Sequence, residues 1–244
     1  MIGAIIQARM GSSRLPGKSL ADLAGQPMLA RVYNRIQRAA SIEKVIIATS
    51  DRPRDDPIAT LAHHSGWSCF RGSEMDCLDR YYQAARQHGI DPIVRVTGDC
   101  PFVDPGVIDL VVNTFLESRY IFVANRLPPP WKRTYPLGLD VEVCSFAGLA
   151  YAWKHATKPY EREHVMPYLY TRNHISFYIL DLPTDLSRHR WTVDTPADLA
   201  FARAVYAHFG NVHFDWRELL AYLKQHPEVE RINAHVEQAI LPVV

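Results

Sequence analysis

The chain has almost no excess of charge of either sign: 27 lysines and arginines stand against 26 aspartates and glutamates in 244 residues. General nucleic-acid binding wants a strong basic excess, so a nucleic-acid partner is not expected and any basic cluster is a local device. No apolar run approaches the roughly 18 residues of a membrane span, and the first residues lack the basic-then-apolar order of a signal peptide. The expectation is a cytoplasmic protein with no membrane partner. Cysteine is sparse: Cys69, Cys77, Cys100 and Cys144 form no C-x-x-C pair. That spacing favours neither a zinc site nor a disulfide framework, and the four read as reduced, mostly buried thiols. What is abundant is apolar, 48% of the chain, enough to bury a proper core.

The chemistry starts in the first twenty residues. Ile2, Ala4, Ile5 and Ile6 read as a buried strand that runs into Ala8-Arg9-Met10-Gly11-Ser12-Ser13-Arg14-Leu15-Pro16-Gly17-Lys18. Two glycines and two serines let the backbone turn tightly and aim successive N–H groups into one concavity. Arg9, Arg14 and Lys18 add three positive charges, which makes an anion cradle, most simply for phosphates. The spacing is not that of a Walker loop, because five residues separate Gly11 from Gly17 where that pattern needs four. It is not a dinucleotide fingerprint either, since Pro16 stands where the helix should begin. The competing reading is a solvated basic turn.

Beyond the loop the pattern alternates. Pro27 opens a helix with Leu29, Val32, Tyr33, Ile36 and Ala40 at helical spacing, and residues 44–50 (KVIIATS) form an apolar strand. A helix from Asp55-Asp56 to about residue 65, a strand at 67–70, a helix at 75–88 and a strand at 92–96 follow. Such alternation implies an α/β fold with parallel strands, whose ligands gather outside the carboxyl ends. Thr97-Gly98-Asp99-Cys100-Pro101 leaves one of those ends, and Asp104 and Pro105 then cap and open a helix. Asp99 is either turn chemistry or an oxygen ligand for a divalent cation.

The second half is less regular. Residues 127–136, rich in proline, read as a mobile lid or linker. Residues 138–143 (GLDVEV) form a strand with Asp140 and Glu142 on one face, either accepting sugar hydroxyls or lying on a solvated edge. Helices are expected at 146–155 and about 160–170. Arg162, Glu163 and His164 in the second fan over most of a turn, so they are not expected to reach one ligand together. Strands at 175–182 and 190–193 lead to Asp194, which sits where Thr195 and Pro196 cap and open another helix. Asp194 either assists that cap or pairs with Asp99, and two carboxylates about 4 Å apart without a cation would repel by roughly 4 kcal/mol at an effective dielectric near 20. A metal between them removes the conflict. Amphipathic helices at 197–208 and 216–225 precede a tail whose role is not legible.

Three ordered motifs, ARMGSSRLPGKSL, Gly98-Asp99-Cys100-Pro101 and Val193-Asp194-Thr195-Pro196, resemble the cytidylyltransferases that activate acidic sugars such as Kdo and sialate, and within them the spore coat polysaccharide biosynthesis protein F branch. The resemblance implies a single domain over residues 1–244: a three-layer α/β/α sandwich on a mostly parallel sheet, of the Rossmann-like nucleotide-diphospho-sugar transferase type. It implies a sugar-binding and dimerisation segment at about 127–172, hence a homodimer. It implies metal-dependent transfer of CMP from CTP to a sugar, with Mg²⁺ or Mn²⁺ on Asp99 and Asp194 and phosphates on Arg14 and Lys18. The implied nucleotide site takes in Ala8, Arg9, Gly11, Ser12, Ser13, Thr97 and Gly98, with Arg71 and Ser73 at the cytosine. The sugar half, Asp140, Glu142 and Arg162-Glu163-His164, follows the spore coat branch. Rival readings are a nucleotidyltransferase for another base, a nucleotide-sugar-dependent glycosyltransferase, and a nucleotide-binding scaffold.

Overall fold

A computed structural model describes residues 1–128 and 131–238. Seven strands form one sheet in the order β3-β2-β1-β4-β6-β5-β7: β1 Gly3–Gln7, β2 Lys44–Ser50, β3 Ser68–Gly72, β4 Ile93–Thr97, β5 Phe122–Ala124, β6 Glu142–Cys144 and β7 Phe177–Ile179. Only β6 runs against its neighbours, antiparallel to both β4 and β5. The other paired strands are parallel, as expected where helical crossovers return the chain to one edge.

The layers follow from alternation along the strands. Ala4 and Ile6, Val45 and Ile47, and Val94 and Val96 face one core. That core receives α1 Met28–Ile36, α2 Asp56–His64, α4 Pro105–Glu117, α8 Pro196–Phe209 and α9 Trp216–Gln225. Ile5, Ile46, Ile93 and Phe122 face the other, covered by α3 Cys77–His88, α5 Phe146–His155 and α7 Pro167–Tyr170. Every strand but the edge strand β7 contributes to both layers, and burying each large aliphatic side chain is worth about 1.5–3 kcal/mol. The three-layer α/β/α arrangement is therefore dictated by continuous apolar strands. Cys77, Cys100 and Cys144 are buried and Cys69 half-buried, all as free thiols. No helix among the described residues is long and apolar enough to cross a membrane.

The second half departs from expectation in five places, the first being that the strand expected over 175–182 is only β7, Phe177–Ile179. The strand expected over 138–143 is only β6, because the side chain of Asn125 binds the backbone ahead of it: Nδ2 donates to the Leu139 carbonyl and Oδ1 accepts from the Val141 N–H. The helix expected over 160–170 is two, α6 Pro159–His164 and α7, broken where Val165 takes a φ of 71° ahead of Pro167. Residues 190–193 form no strand; a single parallel bridge joins Leu137 to Arg190, and the segment runs alongside the sheet's exit loops. The expected lid is packed: Tyr135 and Thr134 are buried, the Thr134 hydroxyl accepts from the Leu182 N–H, and Trp131 stands edge-on to Tyr170. Residues 129–130 and 239–244, part of the expected lid and tail, lie outside the described residues.

Candidate active site

β1 and β4 are in register with Gln7 opposite Thr97, so the loops leaving them are neighbours. The Gly98 N–H donates to the Gln7 carbonyl at 2.9 Å, and a Cβ at residue 98 would stand 2.9 Å from that same oxygen. Only glycine permits this approach, which sets Asp99 beside the basic loop. The loop closes on itself where the Gly17 N–H, at a φ of 74°, meets the Met10 carbonyl at 3.0 Å. Asp55 pins it from α2's side by accepting the Met10 N–H at 2.7 Å.

Lys18 emerges from that closure. Its Nζ donates to Asp99 Oδ2 at 2.7 Å, to Asp194 Oδ1 at 2.8 Å and to the Val193 carbonyl at 3.0 Å. Asp194 is within reach because the Val193 N–H donates to the Asp99 carbonyl at 2.8 Å. Burial opposes the charge on Lys18, but Asp99 and Asp194 outweigh it and hold its pKa above the ordinary lysine value. Burial likewise works against ionised Asp99, and the ammonium wins, keeping that carboxyl below its ordinary value. The second Asp194 oxygen meets Arg14 at 3.0 Å and Arg190 at 3.1 Å. The expected clash between two bare carboxylates is thus absent, because Lys18 bridges them. Spacing along the chain does not reveal that the lysine reaches past the phosphate position to the aspartates.

One cleft of about 780 Å³ joins most of the expected site residues. Ala8, Arg9, Ser12, Ser13, Arg14, Lys18, Thr97, Gly98, Asp99 and Asp194 line its loop end. Asp140, Glu142, Arg162, Glu163 and His164 line the other. All of the last three reach it, because the six-residue helix α6 ends against the cleft. Each faces something different: Arg162 pairs closely with Asp76, Glu163 lies 3.8 Å from Arg9, and His164 belongs to neither ion pair. Burial, with Arg95 and Arg126 adding to it, holds the His164 imidazole below its ordinary pKa and so neutral at pH 7.

Three expected nucleotide residues do not line the cleft. Arg71 donates to the Ser50 and Arg52 carbonyls at 2.9 and 3.0 Å and pairs with Asp56, fastening β3 to the chain after β2. The Ser73 hydroxyl accepts the Asp76 N–H at 3.2 Å. A Cβ on Gly11 would stand 2.8 Å from the Arg54 guanidinium.

The two acids of the sugar half are not free for hydroxyls either. Glu142 pairs closely with Arg95, whose Nη2 also donates to Gln7 Oε1 at 3.1 Å. Asp140 takes both Arg133 nitrogens, at 2.6 and 3.1 Å, and these with Arg126 overcome burial to hold its carboxyl below the ordinary value. Carboxylates carried inward on a sheet edge need such partners, so the acids orient arginines. Arg126 differs from the other arginines here: its Nε lies 3.4 Å from Asp140, yet the guanidinium makes no hydrogen bond among the described residues. Sequence reasoning missed both Arg95 and Arg126. Arg95 carried a signal, a charge inside the apolar run PIVRV; Arg126 carried none, because the three-residue strand before it shows no pattern.

Residues 3–230 match the cytidylyltransferase family model. The spore coat polysaccharide biosynthesis protein SpsF of Bacillus subtilis is 33% identical over 237 residues, 92% of this chain and 94% of that protein. A 3-deoxy-manno-octulosonate cytidylyltransferase of Trichlorobacter lovleyi is 43% identical over 119 residues, 48% of this chain and 46% of its own. The structure of a cytidylyltransferase from Leptospira borgpetersenii superposes with a TM-score of 0.88 at 32% identity, covering 98% of each chain. With a cationic loop, paired carboxylates and one continuous cleft on this sheet edge, the chain belongs to the cytidylyltransferase family and is a nucleotidyltransferase.

Proposed function

We propose that the enzyme transfers CMP from CTP to a hydroxyl of an acidic sugar, with release of pyrophosphate, in surface polysaccharide biosynthesis. The observation that carries this reading is the polarity of the cleft: a phosphate loop and two aspartates at one end, and at the other a guanidinium, Arg126, that is paired at 3.4 Å with Asp140 but makes no hydrogen bond among the described residues. An acceptor carboxylate would take up those donors bidentately. The names of the Trichlorobacter and Bacillus relatives, a 3-deoxy-manno-octulosonate cytidylyltransferase and a spore coat polysaccharide biosynthesis protein, support the acidic acceptor and the pathway class.

In the reaction the acceptor oxygen bonds to the α-phosphorus as the bond from that phosphorus to the α,β-bridging oxygen breaks, its electrons leaving with pyrophosphate. Positioning and charge neutralisation do most of the work in such transfers. Arg14, Arg9 and the loop N–H groups hold the phosphates, Arg126 orients the sugar, and neutral His164 accepts the hydroxyl proton. Asp99 and Asp194 fit Mg²⁺ or Mn²⁺: their oxygens already converge on one cation, Lys18, and two carboxylates with triphosphate oxygens and water form the usual shell of a hard ion. When bound, that ion supplies further neutralisation of the triphosphate.

A pyrophosphate-release assay crossing CTP, UTP, GTP and ATP with acidic and neutral sugars, with Mg²⁺ or excess chelator, tests the reading. Release is expected only with CTP, an acidic sugar and the metal, and Arg126→Ala should raise the sugar KM about tenfold or more while sparing CTP. Equal turnover of neutral sugars, or full activity in chelator, would overturn the corresponding part.

A further inference from the structure

Asp194 is held from behind as well as from the cleft. Asp198, fully buried on the first turn of α8, accepts from Arg190 Nε at 2.8 Å and Nη2 at 2.9 Å, and from the Asp194 and Thr195 N–H groups at 3.0 Å each. The same Arg190 Nη2 reaches Asp194 Oδ2. Arg190 is therefore a fork with one tine on a fixed buried acid and one on the carboxylate that faces the cleft.

The chain closes this arrangement from its far end. Asn233, itself buried, donates from Nδ2 to Asp198 Oδ1 at 2.9 Å and to the Arg190 carbonyl at 3.0 Å. Five residues on, Gln238 lines the cleft and its Oε1 accepts from Arg190 Nη1 at 2.6 Å. Two side chains of one C-terminal segment thus fill the remaining hydrogen-bonding positions of the Asp198–Arg190 pair.

We propose that the segment Asn233 to Gln238 is a positioning strap: it fixes Arg190 and Asp198, and through them the rotamer of Asp194 in which its oxygens converge with those of Asp99. The inference rests on the reading of Asp194 as a metal ligand. Partners behind a ligand set its orientation and basicity, and their loss costs about 10–100-fold in metal affinity. Asn233 and Gln238 act on Asp194 through Arg190; they are positioning residues.

The test is Mn²⁺ binding, titrated calorimetrically into the full-length enzyme with a non-hydrolysable CTP analogue, with turnover measured in parallel. Asn233→Ala and Gln238→Ala should each weaken Mn²⁺ by about tenfold, leave analogue affinity in chelator within about twofold of wild type, and regain most of kcat at high metal. Asn233→Asp places a carboxylate against Asp198 and should weaken Mn²⁺ further. A purely structural role would lower the melting temperature without moving Mn²⁺ affinity, and unchanged affinity in both alanine variants would overturn the proposal. Gln238→Ala keeps the test open should either Asn233 variant fail to fold. Asp194→Asn is the control: if it loses Mn²⁺ while the strap variants bind normally, only the strap fails. If Asp194→Asn itself binds Mn²⁺ like wild type, the metal reading falls and takes the strap with it.

Discussion

At the scale of single residues, Lys18 changes what the aspartates are expected to do. From the sequence, neutralising Asp99 or Asp194 should relieve a repulsion and leave the metal-free protein slightly more stable. With Nζ at 2.7 and 2.8 Å from the two carboxylates, the opposite follows: Asp99→Asn or Asp194→Asn keeps a hydrogen-bond acceptor but removes one of the two counter-charges of a mostly buried ammonium. A loss of about 1–2 kcal/mol, read as a fall of roughly 2–8 °C in Tm in chelator, is expected for each. A rise in Tm for either would restore the repulsion argument. Lys18→Ala removes the cation from both acids at once, so it should lower turnover by about 10²–10³ and also melt lower, by more than either Asn variant. Steady-state kinetics beside a melting curve separates that outcome from a solvated turn, whose removal would alter neither.

At the scale of elements, Gly98 shows how little space the site leaves for error. Its absent side chain lets the exit of β4 lie on the Gln7 carbonyl, and Gly98→Ala would force a methyl group to 2.9 Å from that backbone oxygen. The Asp99 turn must then move away from Lys18. We expect at least a tenfold loss of turnover with the fold intact, since small misplacements of reacting groups are costly; a fully active variant would show that the turn has slack. The same element explains what was legible. Strands such as KVIIATS and helices such as the one capped by Asp104 carry their own pattern and stop signals, and the parallel half of the sheet follows from them. Around β5, β6 and β7 the strands are three residues long, too short for a period to register, so the expected strands at 138–143, 175–182 and 190–193 were too long or absent. Asp140 and Glu142 still face the cleft as alternation requires, but their arginines lie on other elements. Spacing along one segment cannot show a partner that only tertiary packing supplies.

At the scale of the whole molecule, buried histidines rather than carboxylates should set how stability falls on mild acidification. His164 and His189 are both held below their ordinary value of 6.5 by burial; Arg95 and Arg126 deepen the effect at His164, and at His189 the opposing pull of Glu230 is not enough. The unfolded chain therefore binds protons at these positions before the native one does. Stability must then rise with pH from the depressed native pKa values up to about 6.5 and level off above, with a slope of at most about 1.4 kcal/mol per pH unit for each histidine. Asp99, Asp140 and Asp198 are likewise held below their ordinary value of 3.8, so their contribution is present throughout this window and is lost only at far lower pH. Urea unfolding at intervals between pH 5 and 8 should show a rise to a plateau near 6.5 in the wild type. It should show a flattened curve in a His164→Gln, His189→Gln double variant. A wild-type curve already flat from pH 5 would mean that both imidazoles are as readily protonated in the fold as out of it. Neutral His164 would then be lost as the acceptor of the hydroxyl proton, and turnover near pH 6 would have to depend on another base.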